Sequence, residues 1–280
     1  MSYIVSETWL KNKLKEKNED IAIIDVRFNM QNPEEGKQKY LEGHIPQAVF
    51  LDIEKDLSGK VEKHGGKHPL PKVDTLSEKL GSIGIDNETT VVFYDEDGSM
   101  FAARGWWILH YMGHDHVYIL EGGFQRWVAA GHEVVTDIVK RKQKTFRPQI
   151  RNHIAVQMEE VKNKLKDDSS VLIDARSKER YLGKTEPLYN KAGHIPGAKN
   201  FFWKDVYNED GTWKNKEQLE KQFSSLTEKE EIIVSCGSGL SACPNFIALK
   251  IAGFDNVKLY PGSFSDWISY ENNEIETKEE

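Results

Sequence analysis

The 280-residue chain is poor in cysteine: Cys236 and Cys243 are its only two. Two thiols cannot build a disulfide framework, and their spacing is not that of a zinc site, which needs four ligands. No apolar run approaches the roughly 20 residues that a membrane span requires. The first residues, with Glu7, Glu16, Glu19 and Asp20, lack both the apolar stretch of a signal peptide and the acid-poor look of a transit peptide. A cytoplasmic location is therefore expected, with no membrane partner. A basic face for nucleic acid is missing as well, since the net charge is −7. What remains is an ordinary globular mixture, 38% hydrophobic and 30% charged, long enough for two domains.

The chain repeats itself once. Lys11-Asn12-Lys13-Leu14-Lys15 recurs as Lys162-Asn163-Lys164-Leu165-Lys166, and Ile23-Ile24-Asp25-Val26-Arg27 as Leu172-Ile173-Asp174-Ala175-Arg176. Gly43-His44-Ile45-Pro46 returns as Gly193-His194-Ile195-Pro196, and the segment from Glu121 to Trp127 matches that from Pro261 to Trp267. The period is far longer than the ~20–50 residues of a solenoid repeat, so each unit is a domain. The expected division is 1–135, a polar linker over 136–152, and 153–280. Short apolar runs at 21–26, 90–94 and 117–120, and at 171–174, 232–235 and 257–260, read as buried parallel strands. Helical patterns fall at 6–17, 103–112 and 123–130, then at 157–166, 217–224, 241–252 and 263–269. The predicted class is α/β: two small parallel sheets, each with helices on both faces.

In such sheets ligands gather beyond the C-terminal strand ends. There the run Ile232–Ser235 leads into Cys236-Gly237-Ser238-Gly239-Leu240-Ser241, with a helix opening at about Ser241. Two glycines let the backbone turn its N–H groups inward, and the helix adds its own donors. That cradle suits an anion and favours the nucleophilic thiolate. A phosphatase loop would carry an arginine six residues after the cysteine; here that residue is Ala242, and Cys236–Ala242 holds no cation at all. In the first unit Asp95 occupies the place of Cys236, which makes that unit a non-catalytic partner whose carboxylate would repel an anionic donor. Asp174 and Arg176 end a strand and are expected to brace loops. His194 is expected to lock its turn, Cys243 to pack within its helix or act as a resolving thiol, and Trp127 and Trp267 to fill equivalent cores.

Tandem units with Asp-x-Arg, Gly-His-Ile-Pro-Gly-Ala and Cys-Gly-Ser-Gly-x-Ser-Ala resemble the rhodanese superfamily over nearly the whole chain. The loop from Cys236 to Cys243 is similar to that of the branch using 3-mercaptopyruvate. The resemblance implies tandem rhodanese-like domains and a sulfurtransferase in which Cys236 accepts sulfur as a persulfide. A thiol, cyanide or a thioredoxin-like dithiol would then remove it, with no cofactor and no metal. It implies that Gly237, Gly239, Leu240 and Ser241 line the donor, and that Arg180 clamps the donor carboxylate. A second family arginine is replaced by Tyr189. It further implies a proton relay through Ser238, for which His44 is the expected partner. A monomer is expected. The alternatives are a thiosulfate:cyanide sulfurtransferase and a non-enzymatic sulfur-relay or persulfide sensor module.

Overall fold

A computed structural model describes residues 3–16, 20–98 and 100–278. The chain divides into two compact units, one of residues 1–59 and 70–151, the other of residues 60–69 and 152–280. Of the stretch 136–152, expected as a linker, residues 136–151 count with the first unit and Asn152 with the second. Residues 60–69, expected in the first unit, belong to the second.

The first unit runs β1 (Ile4–Val5), α1 (Glu7–Lys15), β2 (Ile21–Asp25), α2 (Glu35–Glu42), β3 (Ala48–Phe50), α3 (Val73–Ser82), β4 (Thr90–Tyr94), α4 (Met100–Tyr111), β5 (Val117–Leu120) and α5 (Gly123–Ala129). Its five strands are parallel, in the order β1-β5-β4-β2-β3. The second unit runs α6 (Met158–Lys164), β6 (Ser170–Asp174), α7 (Lys178–Tyr181), β7 (Lys199–Asn200), α8 (Lys216–Gln222), β8 (Glu231–Ser235), α9 (Ala242–Ile251), β9 (Val257–Leu259) and α10 (Ser263–Trp267). Its four strands are also parallel, in the order β7-β6-β8-β9. Every residue of β2 and of β8 is buried, as strands flanked by helices require.

The six strands read from apolar runs are all present. The expected helix 6–17 is α1, and its last residue, Lys17, lies outside the described residues. Ser6 caps α1, its hydroxyl accepting from Trp9 N–H at 3.1 Å. The pattern missed α2 and α7, and also the ten-residue α3. The cores repeat as the sequence does: Ile23, Tyr40, Ile45 and Trp127 cluster in one unit, Leu172, Tyr181, Ile195 and Trp267 in the other. Even the indole N–H groups match, Trp127 donating to the Glu133 carbonyl and Trp267 to that of Glu274. Among the described residues, no helix is long and apolar enough to cross a membrane.

Candidate active site

Strand β8 delivers the chain to Cys236, and α9 carries it away. Between them Gly239 sits at φ +80°, where a Cβ would meet the Pro261 carbonyl oxygen at 2.3 Å. Only glycine takes that turn without strain. At Gly237 a Cβ would lie 2.6 Å from the Tyr189 hydroxyl. The turn aims Gly239 N–H at Cys236 Sγ, 3.1 Å away. The Cys236 residue is buried, and its own N–H donates to Ser263 Oγ at 3.0 Å. Ser263 is held at φ +52°, a conformation that costs a residue with a Cβ about 1–2 kcal/mol. Its place in the first unit is taken by Gly123, at φ +55°. Phe264 N–H and Ser265 N–H close the frame on the Cys236 and Gly237 carbonyls, at 3.0 and 2.9 Å. Leu240 is buried in the loop, and Ser241 precedes α9. Cys243 is buried one turn on, its thiol donating to the Gly239 carbonyl at 3.3 Å.

The first unit keeps the same frame around Asp95. Phe124 and Gln125 N–H groups close on the Asp95 and Glu96 carbonyls, both at 2.9 Å, and Gly98 also stands at φ +80°. The Asp95 carboxylate fills the cradle. Its Oδ1 accepts from Gly98 N–H at 2.7 Å, and its Oδ2 from Phe101 and Ala102 N–H at 3.1 and 3.0 Å. Asp95 thus places its carboxylate in this loop, where Gly98 N–H takes the part that Gly239 N–H takes toward the Cys236 sulfur.

Two arginines follow β6, Arg176 just past its end and Arg180 on α7. Arg176 is buried, donates to Asp174 at 2.7 Å and to the Gly193 carbonyl at 2.7 Å, and stacks 4.1 Å from the centre of the Phe264 ring. Arg27 repeats these contacts in the first unit, on Asp25, Gly43 and Phe124. Arg176 makes one contact more, Nη1 to Glu186 Oε2 at 3.1 Å. Burial works against its charge, yet Asp174, Glu186 and the Cys236 sulfur outweigh that and hold the guanidinium above its ordinary value. Arg180 sets its Nε and Nη2 on the same Glu186, with the shortest contact at 2.8 Å. Glu186 therefore bridges the two arginines. Sequence reasoning missed it.

Glu186 and Tyr189 lie on a segment that the first unit lacks. Tyr40 and His44 are four residues apart, whereas their equivalents Tyr181 and His194 are thirteen apart. Within the added residues Tyr189 packs edge-on against Phe264, with Arg180 over its face at 5.6 Å. Burial, and next the charge of Cys236, push its phenol up to about 12, although Arg180 and a hydrogen bond with Ser238 pull the other way. Tyr189 is thus a neutral hydroxyl at the mouth of the loop, able to donate.

His44 is not the partner of Ser238. Its Nδ1 lies 2.7 Å from the Tyr40 carbonyl and its Nε2 3.2 Å from that of Asp137, and its ring stacks on Tyr40 at 4.0 Å. These are the contacts of its twin: His194 Nδ1 bonds the Tyr181 carbonyl at 2.7 Å and stacks on Tyr181 at 3.7 Å. Both histidines lock a turn. The histidine at Ser238 is His68, whose Nδ1 stands 2.8 Å from Ser238 Oγ. It arrives on the 60–69 segment, beside Lys67, whose Nζ donates to the Leu188 carbonyl at 2.9 Å and stands 5.1 Å from the Tyr189 ring. The signal for it was a Gly65-Gly66 pair followed by Lys67-His68-Pro69, a stretch with no copy in the second half. No group of three or more His, Cys, Asp or Glu suited to a metal ion occurs among the described residues.

Comparison with known proteins identifies the family. The rhodanese-like domain matches twice, at residues 6–130 and 157–270. The chain is 39% identical over 255 residues to a probable 3-mercaptopyruvate sulfurtransferase of Pseudomonas aeruginosa, covering 89% of this chain and 90% of that one. It is 31% identical to the thiosulfate sulfurtransferase of Bos taurus, over 95% of this chain and 91% of the relative. Among solved structures, the 3-mercaptopyruvate sulfotransferase SseA of Escherichia coli superposes with a TM-score of 0.82 at 32% identity, over 95% of this chain and all of that one. The chain belongs to the rhodanese family, and it is a sulfurtransferase with two rhodanese-like domains.

Proposed function

We propose that this sulfurtransferase takes sulfur from 3-mercaptopyruvate, carries it as a Cys236 persulfide and passes it to a thiol, cyanide or thioredoxin-like dithiol, releasing pyruvate. The observation that carries the reading is the 2.8 Å contact of His68 with Ser238, two residues from the nucleophile. Mercaptopyruvate needs a proton when it loses sulfur; thiosulfate does not.

The Cys236 thiolate attacks the donor sulfur. The carbon–sulfur bond breaks, and its electron pair stays on the methylene carbon as the enolate of pyruvate. Ser238 hands its hydroxyl proton to that carbon and takes one back from His68. The proton that the new persulfide sheds closes the count, so no outside acid is consumed. The Gly239 N–H that faces Sγ is placed to hold the anionic persulfide. Arg180, its fork set by Glu186, offers its remaining N–H groups to the donor carboxylate, and the neutral Tyr189 phenol donates beside it. The loop Gly237–Ser241 carries no cation, which suits a monoanionic donor better than a compact dianion.

Thiosulfate is the second reading, favoured by Lys67, which brings an ammonium close to Tyr189. Steady-state rates with both donors and cyanide as acceptor decide between them. A kcat/KM at least about tenfold higher for mercaptopyruvate is expected, since general acid catalysis is worth about 10²–10⁴-fold. A higher value for thiosulfate reverses the assignment.

A further inference from the structure

The strap of residues 60–69, which carries His68 to Ser238, is also fastened to residues near the C-terminal end of the chain. His64 Nδ1 meets Ser269 Oγ at 2.7 Å, and its ring stacks on Tyr270 at 4.0 Å. Gly65 N–H donates to Asp266 Oδ1 at 2.6 Å, and Lys67 N–H to Ser265 Oγ at 3.0 Å. Asp266 is buried, and its other oxygen accepts from the Tyr260 hydroxyl at 2.6 Å. Ser265 and Asp266 lie on α10, and Ser269 and Tyr270 in the turn that follows it.

The equivalent positions of the first unit carry Gln125, Arg126, Ala129 and Ala130. None of these is an acceptor carboxylate or a short hydroxyl, so the pattern arose in the second unit alone. Gly66 completes the fit. It stands at φ +82°, and a Cβ there would lie 2.4 Å from the Gly262 carbonyl oxygen and 2.8 Å from Ser265 Oγ. The strap touches these residues by its backbone, at a distance no other residue permits.

We propose that α10 and the turn after it form a dedicated dock for the strap, and that Gly66 and Asp266 are positioning residues that set His68 on Ser238 for the proton step of sulfur transfer. The proposal rests on the relay described above. It separates two jobs within one site: the Cys236 loop supplies the nucleophile, and the docked strap supplies only the proton. Lifting the strap should spare the first and cripple the second.

The test is Gly66→Ala, alone and combined with His68→Gln, in the full chain. Gly66→Ala is expected to lower kcat with mercaptopyruvate about tenfold or more, within the range of general acid catalysis. Alkylation of Cys236 by iodoacetamide should keep its rate within about twofold. In the His68→Gln background Gly66→Ala should cost less than about a further twofold, because both changes remove one function. An equal loss in that background, or slowed alkylation, overturns the proposal, as does an unchanged kcat. Wild-type protein that turns over no mercaptopyruvate at all overturns the donor reading instead.

Discussion

Two strand-to-helix loops in this chain share one backbone and differ in what they hold. In the first, Asp95 is tethered to the chain and its carboxylate accepts from the N–H groups of Gly98, Phe101 and Ala102, among others. In the second, Gly239 N–H points at the sulfur of Cys236. A carboxylate satisfies the donors permanently and leaves nothing to exchange. A thiolate accepts from Gly239 N–H and can also accept an atom. The vacant-looking twin is therefore a filled site, and its filling identifies the loop as an anion cradle independently of any donor. The first unit also lacks the inserted segment with Glu186 and Tyr189, and a strap bearing histidine. These additions, and not the cradle alone, set the second unit apart.

Exchanging the two residues breaks this comparison most sharply. Cys236→Asp should abolish transfer while the protein stays folded, since the carboxylate finds Gly239 N–H waiting. Asp95→Ala should leave transfer intact but lower stability by about 2–4 kcal/mol, the cost of stranding buried donors of charge-assisted hydrogen bonds. Denaturant unfolding with parallel activity assays checks both arms. Loss of activity in Asp95→Ala without loss of stability would show that the first cradle does more than fold.

Arg180→Ala is the finer test. Arg176 keeps Glu186 in place at 3.1 Å, so stability should hardly change. Mercaptopyruvate use should weaken by about 1.5–3 kcal/mol in kcat/KM, the worth of a hydrogen bond between charged groups. An unchanged kcat and KM would remove Arg180 from the donor site.

Much of this is legible in the sequence. Buried parallel strands must be apolar runs, so β2, β4 and β8 were plain. The loop at Cys236 was plain too, because glycine pairs in a strand-to-helix turn have few other uses. His68 was hidden by the same repeat that revealed the fold. Pairing the halves drew attention to His44, the copy of His194, while residues 60–69 have no copy. The contiguous boundary at 135 also assumed that a unit is one stretch of chain, whereas the second unit borrows 60–69 from within the first. Glu186 went unread for a related reason. The first unit has its extra residues before Tyr40 and the second after Tyr181, so the offsets cancel and Gly-His-Ile-Pro recurs at nearly the expected place. The position of Asp95 is legible in the repeat, but the N–H groups that hold its carboxylate are seen only in the fold.

The central claim is that Cys236 carries the sulfur. The direct measurement is to mix the protein with mercaptopyruvate and no acceptor, then weigh the peptide containing Cys236 and count the pyruvate released. The account predicts one added sulfur atom on Cys236 and one pyruvate per chain, with neither in Cys236→Asp. Pyruvate released while Cys236 gains no sulfur would contradict it.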